Sequence, residues 1–451
     1  MMSENEENLF SQMNLVAGES WGKLQKSLSS SLLVPMELDG KEQLLPVNVV
    51  NKYMSDPDDK VREKAFKAIN KAYETIDKPI ALALSNIKRQ GNMMAKARAY
   101  DSVLDETLSI SRMSKETLDA LLSSIEEYLP VFRRYIKAKA AYLGDGEKLK
   151  MYNLEAPVGG VDKSYSIDEA KELVLNSFSK FSPQLGDVAQ KAFDEKWVDF
   201  EPRTGKRGGA FCNNMPYVGE SRISLNYNHE LGNVITLAHE LGHAYHGSII
   251  QENSAYDWTY PMPLAETAST FCEQVIGSHL MDMMSDDERL YILELNAMKA
   301  TRLMIGIISR FWFEDQVISE SKNNTLSVDR INAIMEEAQL KAYGDSVDPE
   351  YLNPYAWLTK PHYYYLERHY YNFPYSFGFL YAKGLYAMHN EAPESFVKRF
   401  DEMLRLTTKA TIEDVAKVMD VDITSKEFWM KSLESVKTDL EEVCILLEKK
   451  C

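Results

Sequence analysis

The sequence predicts a mainly α-helical protein with more than one domain-sized unit, interrupted near its middle by a short β segment. Three observations predict it. Long stretches rich in Ala, Leu, Lys and Glu carry apolar residues at three- and four-residue spacing, the period of a helix with one buried face. Residues 201–227 break that period with a glycine-rich stretch and a short alternation. At 451 residues the chain is long enough to bury more than one core.

In chain order, residues 58–76 place Val61, Ala65, Ala68 and Ile69 on one helical face. Ser114, with Glu116 in the first turn, starts a second helix. The stretch TGKRGGAF reads as a loop, and RISLNY as a strand with Ile223, Leu225 and Tyr227 pointing one way. Asn233 is the expected N-cap of a helix whose buried face is Val234, Ile235, Ala238 and Leu241. A last helix is expected near 435–447. No repeat period, low-complexity segment or Pro/Ser-rich linker divides the chain, so domain limits are soft.

Composition excludes some functions. A formal charge of −17 argues against nucleic-acid binding, which relies on clustered Lys and Arg, and reads mainly as solubility. No apolar run approaches the roughly 18 residues of a membrane span. The N-terminal residues Met-Met-Ser-Glu-Asn-Glu-Glu lack the basic and apolar regions of a secretory signal. Cys212, Cys272, Cys444 and Cys451 are widely spaced, with no C-x-x-C pair, which fits a reducing compartment. The expectation is a cytoplasmic protein without membrane or nucleic-acid partners.

The motif with most chemical content is His239-Glu240-Leu241-Gly242-His243. A helix brings residues i and i+4 to one face, so both imidazoles reach one zinc, with Glu240 placed to take a proton from the water that zinc acidifies. The nearby His229-Glu230-Leu231-Gly232 is followed by Asn233, a poor zinc ligand, so His229 is read as structural or substrate-facing. His246 lies seven residues after His239, about 10 Å along the axis, too far to share the ion. A metzincin would need a further His near Ile249 and is rejected. A catalytic zinc site needs a third protein ligand. Glu266 is the leading candidate, at the start of a second helical stretch, with Asp257 and Glu273 as rivals.

At these residues the chain resembles the thimet oligopeptidase and oligoendopeptidase F group of zinc metallopeptidases, family M3, most closely its oligoendopeptidase F branch. The pattern H-E-x-G-H-x-x-H followed by E-x-x-S appears as His239, Glu240, Gly242, His243 and His246, then Glu266 and Ser269. The likeness extends to ARAYDSVLDETL, WVDFEPRTGKRGGAFC and VDITSKEFWMKSL, nearly the whole chain. It implies one Zn2+ per chain held by His239, His243 and Glu266, with His246 not a ligand. It also implies a two-lobed helical body with a deep central channel, a small sheet near the zinc, and short unfolded peptides as substrates. Members of this branch are typically longer, so residues 1–100 are expected to form a shortened N-terminal helical region and 101–451 the zinc peptidase region.

Substrate backbone needs a strand edge, and RISLNY, with Ile223 and Leu225, is the expected one. Gly205, Gly208 and Gly209 permit close backbone approach, and in the family the matching loop contacts substrate. The oxyanion formed on attack needs a second donor. Ten of the 25 tyrosines lie between Tyr351 and Tyr386, so the donor is sought there. The resemblance singles out His362, Tyr371 and Tyr375, with His369 and Tyr381 in reserve. The expected activity is cleavage of internal bonds in oligopeptides. A dipeptidyl or carboxy-type exopeptidase and a catalytically silent peptide-binding protein are the alternatives.

Overall fold

The computed structural model describes residues 2–38, 40–159, 163–281 and 284–450. The protein is mainly helical, with a two-stranded and a three-stranded sheet among the described residues. Two separate hydrophobic cores divide it into lobes joined side by side.

The smaller core is built from two distant parts of the chain, residues 32–87 and 313–364. A hairpin of Leu33–Leu38 and Lys41–Pro46 starts it, in register from Leu33 opposite Pro46 to Leu38 opposite Lys41. Its strand alternates, burying Val34 and Met36 while Leu33 stays half exposed. This hairpin was not among the expected elements. Its sequence signal is the Asp39-Gly40 pair between apolar runs, with Gly40 at φ 74°. The helices Asp59–Tyr73, within the expected stretch 58–76 and capped by the Asp58 side chain, and Asp77–Ala97 close the core with Phe313, Ile331 and Trp357.

The larger core centres on four helix contacts. Lys115–Leu143, capped by Ser114, packs on Lys426–Glu448; Leu231–Ile250 packs on Thr267–Met281; and Phe373–Glu391 lies against both Thr267–Met281 and Lys426–Glu448. In the three-stranded sheet Glu220–Ser224 is central, antiparallel to Phe211–Met215 and parallel to Val198–Asp199. Between the helices Asp286–Thr301 and Ile307–Glu320 the backbone passes through a π-helical turn, Arg302–Gly306, which faces the junction of the lobes. No helix among the described residues is long and apolar enough to cross a membrane.

Candidate active site

The helix Leu231–Ile250 carries the H-E-x-x-H motif. It begins three residues before the expected start, with Glu230 at the N-cap. Asn233 sits inside the first turn, where its Oδ1 accepts from the backbone N–H of Asn228 at 2.7 Å and of Glu230 at 3.3 Å. The expected capping residue thus closes the same helix end from one turn further in. Val234, Ala238 and Leu241 are fully buried and hold the helix against Thr267–Met281.

Gly242 sets how closely those helices approach. A Cβ at this position would stand 2.7 Å from both the carbonyl oxygen of Ala268 and Cα of Ser269. The close crossing brings Glu266, which joins the short helix Met262–Ala265 to Thr267–Met281, up to both histidines. Glu266 Oε2 is 3.3 Å from His239 Nε2 and 3.5 Å from His243 Nε2, and the three prospective ligand atoms lie within 4.8 Å of one another. Ligands arranged tetrahedrally at zinc bond lengths of about 2.0–2.2 Å sit about 3.4 Å apart, so this donor set fits zinc. Ser269 Oγ donates to Glu266 Oε2 at 2.9 Å, which explains the serine of the E-x-x-S pattern.

Glu273, a rival for third ligand in the sequence, takes a different place. Its Oε1 lies 2.6 Å from His239 Nδ1, the ring nitrogen on the far side from Glu266, and its other oxygen pairs with Lys299. Burial alone would raise the Glu273 pKa, but Lys299 and His239 outweigh it and bring it to about 2. The ionised carboxylate accepts from Nδ1–H and so leaves the Nε2 lone pair facing Glu266, the tautomer a metal ligand needs. Asp257, the other rival, is outside the ligand group.

The site's electrostatics favour a cation. Burial opposes charge on His239, yet Glu266 and Glu273 raise its pKa to about 10, while the two histidines hold the Glu266 carboxyl far below its ordinary range against the effect of burial. A divalent ion satisfies the same field in place of a proton. Beside it, Glu240 is 5% exposed and its Oε2 has no hydrogen-bond partner. Burial raises its pKa, and the positive fields of His239 and His243 restrain the rise. His246 is fully buried, hydrogen-bonded to Thr407 Oγ1 at 2.9 Å and stacked on Tyr260 at 4.3 Å; it packs the helix and is not in the ligand group.

An aromatic cluster adjoins the triad. The ring of His362 lies 4.9 Å from Tyr371 and 5.9 Å from Tyr375, and the two tyrosines are 6.0 Å apart. Gly378 brings them near, since a Cβ there would stand 2.9 Å from Glu266 Cβ, and Tyr375 is one helical turn earlier. Burial, then Tyr371 and Glu266, push the Tyr375 hydroxyl pKa up, so it stays protonated as a donor. Burial, then Arg310 and Lys360, lower His362 to about 4, so its imidazole is neutral near pH 7. The reserve residues lie in the core: His369 Nδ1 faces Lys88 Nζ at 3.3 Å, and fully buried Tyr381 bonds Met403. His229, at φ 65°, meets the Tyr165 carbonyl through Nδ1 at 3.2 Å.

Residues 52–435 match the model of peptidase family M3. The chain belongs to this family. It is 28% identical over 391 residues to the group B oligopeptidase PepB of Streptococcus agalactiae, covering 85% of this chain and 64% of that one. It is 26% identical over 460 residues to the oligopeptidase PepF of Bacillus subtilis, covering 100% and 67%. The chain thus spans about two thirds of the length of these M3 relatives. The crystal structure of oligoendopeptidase-F from Enterococcus faecium superposes with a TM-score of 0.72 at 24% identity, over 100% of this chain and 75% of that one. That of a Chlamydophila abortus protein superposes at 0.86 and 21% identity, over 99% and 75%. These relatives place the chain in the oligoendopeptidase F branch, with the mainly helical M3 fold.

One expectation about this M3 site is corrected. The strand containing Ile223 is the centre of its sheet, bonded on one side to Phe211–Met215 and on the other to residues 197–200. Ile223 and Leu225 are each 2% exposed, so their alternation marks the core face, and neither offers an edge to a substrate. The edges of the sheet are Phe211–Met215 and the two-residue strand Val198–Asp199, and the longer is Phe211–Met215. Its Asn214 Nδ2 donates to the His243 carbonyl at 3.1 Å and packs against Gly247, which lays the strand over the motif helix. Gly208 and Gly209 are exposed in the loop leading to that edge, where Asn226 Nδ2 donates to the carbonyls of Arg207 at 3.0 Å and Gly209 at 2.8 Å. The sequence reading missed the parts of Asn214 and Lys299. For Glu273 the signal was present: it lies seven residues after Glu266, on one helical face.

Proposed function

We infer that this M3 chain is a zinc endopeptidase that hydrolyses internal bonds of short, unfolded oligopeptides, with Glu240 as general base. The observation that carries the reading is the meeting of His239, His243 and Glu266 within 4.8 Å beside a buried carboxylate with an unpartnered oxygen. A bound zinc supplies Lewis-acid polarisation of the scissile carbonyl and lowers the pKa of water to about 7.

The chain's own residues do the rest. Glu240 takes one proton from the attacking water and passes it to the leaving nitrogen, so that the hydroxyl adds to the carbonyl carbon as the C–N bond breaks. Its raised pKa suits both halves of the transfer. Tyr375 and His362 donate to the carbonyl oxygen as charge develops there, with Tyr371 packed against both rings. The edge Phe211–Met215 pairs with the substrate backbone, and the loop bearing Gly208 and Gly209 closes beside it. Oligopeptides rather than folded proteins are the substrates by analogy with the relatives named oligopeptidase PepB and oligopeptidase PepF. The three described cysteines that are free, Cys212, Cys272 and Cys444, fit a cytoplasmic location.

The test compares the parent with Glu240→Gln on a quenched fluorescent peptide of mixed sequence, with bound metal quantified in both. Cleavage by the parent alone, with about one zinc in each protein, is the expected result. Zinc in neither protein after reconstitution refutes the metal assignment. Equal cleavage by both refutes the general-base role. A silent peptide-binding protein has no use for Glu240 and predicts zinc without cleavage in either.

A further inference from the structure

Between the lobes lies a cavity of about 570 Å³, lined from the small lobe by residues such as Ile69 and Tyr73 and from the large lobe by the π-helical turn. It adjoins the aromatic cluster: Lys360 lines it two residues before His362. The far side is bonded to the same cluster, because Ser376 Oγ, next to Tyr375, donates to the Leu303 carbonyl within the π-helical turn at 2.5 Å.

The charge in this cavity is opposite to that of the molecule. A chain of net charge −17 places four cations here, Lys139, Arg302, Arg310 and Lys360, against one lining carboxylate, Glu155. Lys139 is neutralised by buried Glu294 at 2.7 Å, and Arg302 faces Glu155 at 3.6 Å. The side chains of Arg310 and Lys360 make no ion pair or hydrogen bond among the described residues, and Glu155 is the one lining carboxylate whose field reaches Lys360. Enclosure in the cavity, then the Arg310 charge, lower the Lys360 pKa to about 8, with Glu155 offsetting part of the effect, and the Lys360 side chain stays reachable from solvent.

The uncharged lining is also incomplete. The buried hydroxyls of Thr301 and Tyr363 and the side-chain carbonyls of Asn70 and Asn353 surround the cavity without hydrogen-bond partners. Buried polar groups are ordinarily satisfied, and so many orphans around one space mark a place for a polar guest. Together the lining asks for a short run of peptide groups ending in a negative charge.

We propose that Arg310 and Lys360 bind the C-terminal carboxylate of the peptide, so that the enzyme measures its cut from the carboxyl end of an oligopeptide. This rests on the peptidase reading above and gives it a substrate class: peptides with a free C-terminus, short enough to reach from the triad past Tyr375 and His362 into the cavity. It also joins the endopeptidase and carboxy-type readings, since the distance from carboxylate to triad sets how many residues leave with the product.

The test uses one peptide sequence as free acid and as C-terminal amide, plus an amide with an internal Asp. Cleavage is followed with the parent, and binding by fluorescence anisotropy with Glu240→Gln. The free acid is expected to be cut with a kcat/KM at least 10-fold above the amide and to bind correspondingly tighter. Arg310→Met and Lys360→Gln should each remove most of that difference while Arg310→Lys keeps it, and the melting temperature of each variant verifies folding. Equal cleavage and binding of acid and amide overturn the proposal and leave the peptidase reading standing. Rescue of the amide by internal Asp overturns the terminal assignment in favour of side-chain carboxylates. Absence of cleavage of every peptide by zinc-loaded parent defeats the peptidase reading, whereas acid-selective binding by Glu240→Gln still supports the carboxylate site.

Discussion

Gly242 lies in the crossing of two helices so tightly that a Cβ would stand 2.7 Å from Cα of Ser269, the residue whose hydroxyl holds Glu266. The separation of the helices is therefore the variable that sets the distance between the histidines and the carboxylate. Gly242→Ala should push the helices apart, cost about 1–3 kcal/mol of stability as overpacked cores do, and weaken zinc binding more than melting alone explains. Thermal melts and metal titration of the same samples check both parts.

Glu273 acts on the metal through His239. Glu273→Gln keeps the shape but turns a full acceptor into a weaker one, and zinc affinity should fall about 10–100-fold, with competitive chelation as the measurement. Lys299→Met should move affinity in the same direction by a smaller amount, because it frees Glu273 without removing it. An unchanged affinity in Glu273→Gln would show that packing alone orients His239.

Tyr375 lies one turn before Gly378, the residue that packs on Glu266, and the Glu266 charge acts on its hydroxyl. Tyr375→Phe removes only a donor, so kcat should drop about 100-fold with KM nearly constant. Steady-state kinetics on one peptide decide it, and an unchanged kcat refutes the role.

The turn that launches the Tyr375 helix is tied to a buried ion pair. Lys88 Nζ lies 2.7 Å from Glu314 Oε1, both fully buried, and Glu314 also accepts from the Tyr370 N–H and from Asn372 Nδ2, each at 3.0 Å. Tyr370 itself has φ 53°, a conformation that needs this hold. Lys88→Met leaves Glu314 charged without its partner and should cost about 3–5 kcal/mol. In the double variant with Glu314→Gln much of that stability should return while kcat stays low, because the turn loses one anchor. Denaturation and kinetics of the two variants test the separation of stability from positioning.

His246 gives a pH dependence. Burial, then His243, lower its pKa to about 3 from an ordinary 6.5, so between those values the unfolded chain binds a proton that the folded one refuses. Stability from this residue is thus full above about pH 6.5 and declines as the pH falls toward 3, by a total on the order of a few kcal/mol. Metal-free parent should lose more melting temperature between pH 6.5 and 4.5 than metal-free His246→Gln does.

The sequence by itself determined the helical character, the helix within residues 58–76, the helix that starts at Ser114, and the two histidines and glutamate of the motif, because these are properties of contiguous residues at helical period. It also marked Glu266, His362, Tyr371 and Tyr375, through the resemblance. Contacts between distant segments were decided only in the tertiary structure. Ile223 and Leu225 alternate as any half-buried strand does, and the period cannot say whether a neighbour occupies its edge; that depends on Phe211–Met215 and Val198–Asp199 pairing on either side. Glu273 could be read as a ligand from its spacing alone, and only the approach of His239 Nδ1 from another helix made it the support of a ligand. The smaller core, formed where residues 313–364 return to residues 32–87, and the cationic cavity beside it exist only once chain segments more than 200 residues apart have met. Local periodicity is written in neighbours along the chain, whereas a site's shape and charge are written in neighbours across it.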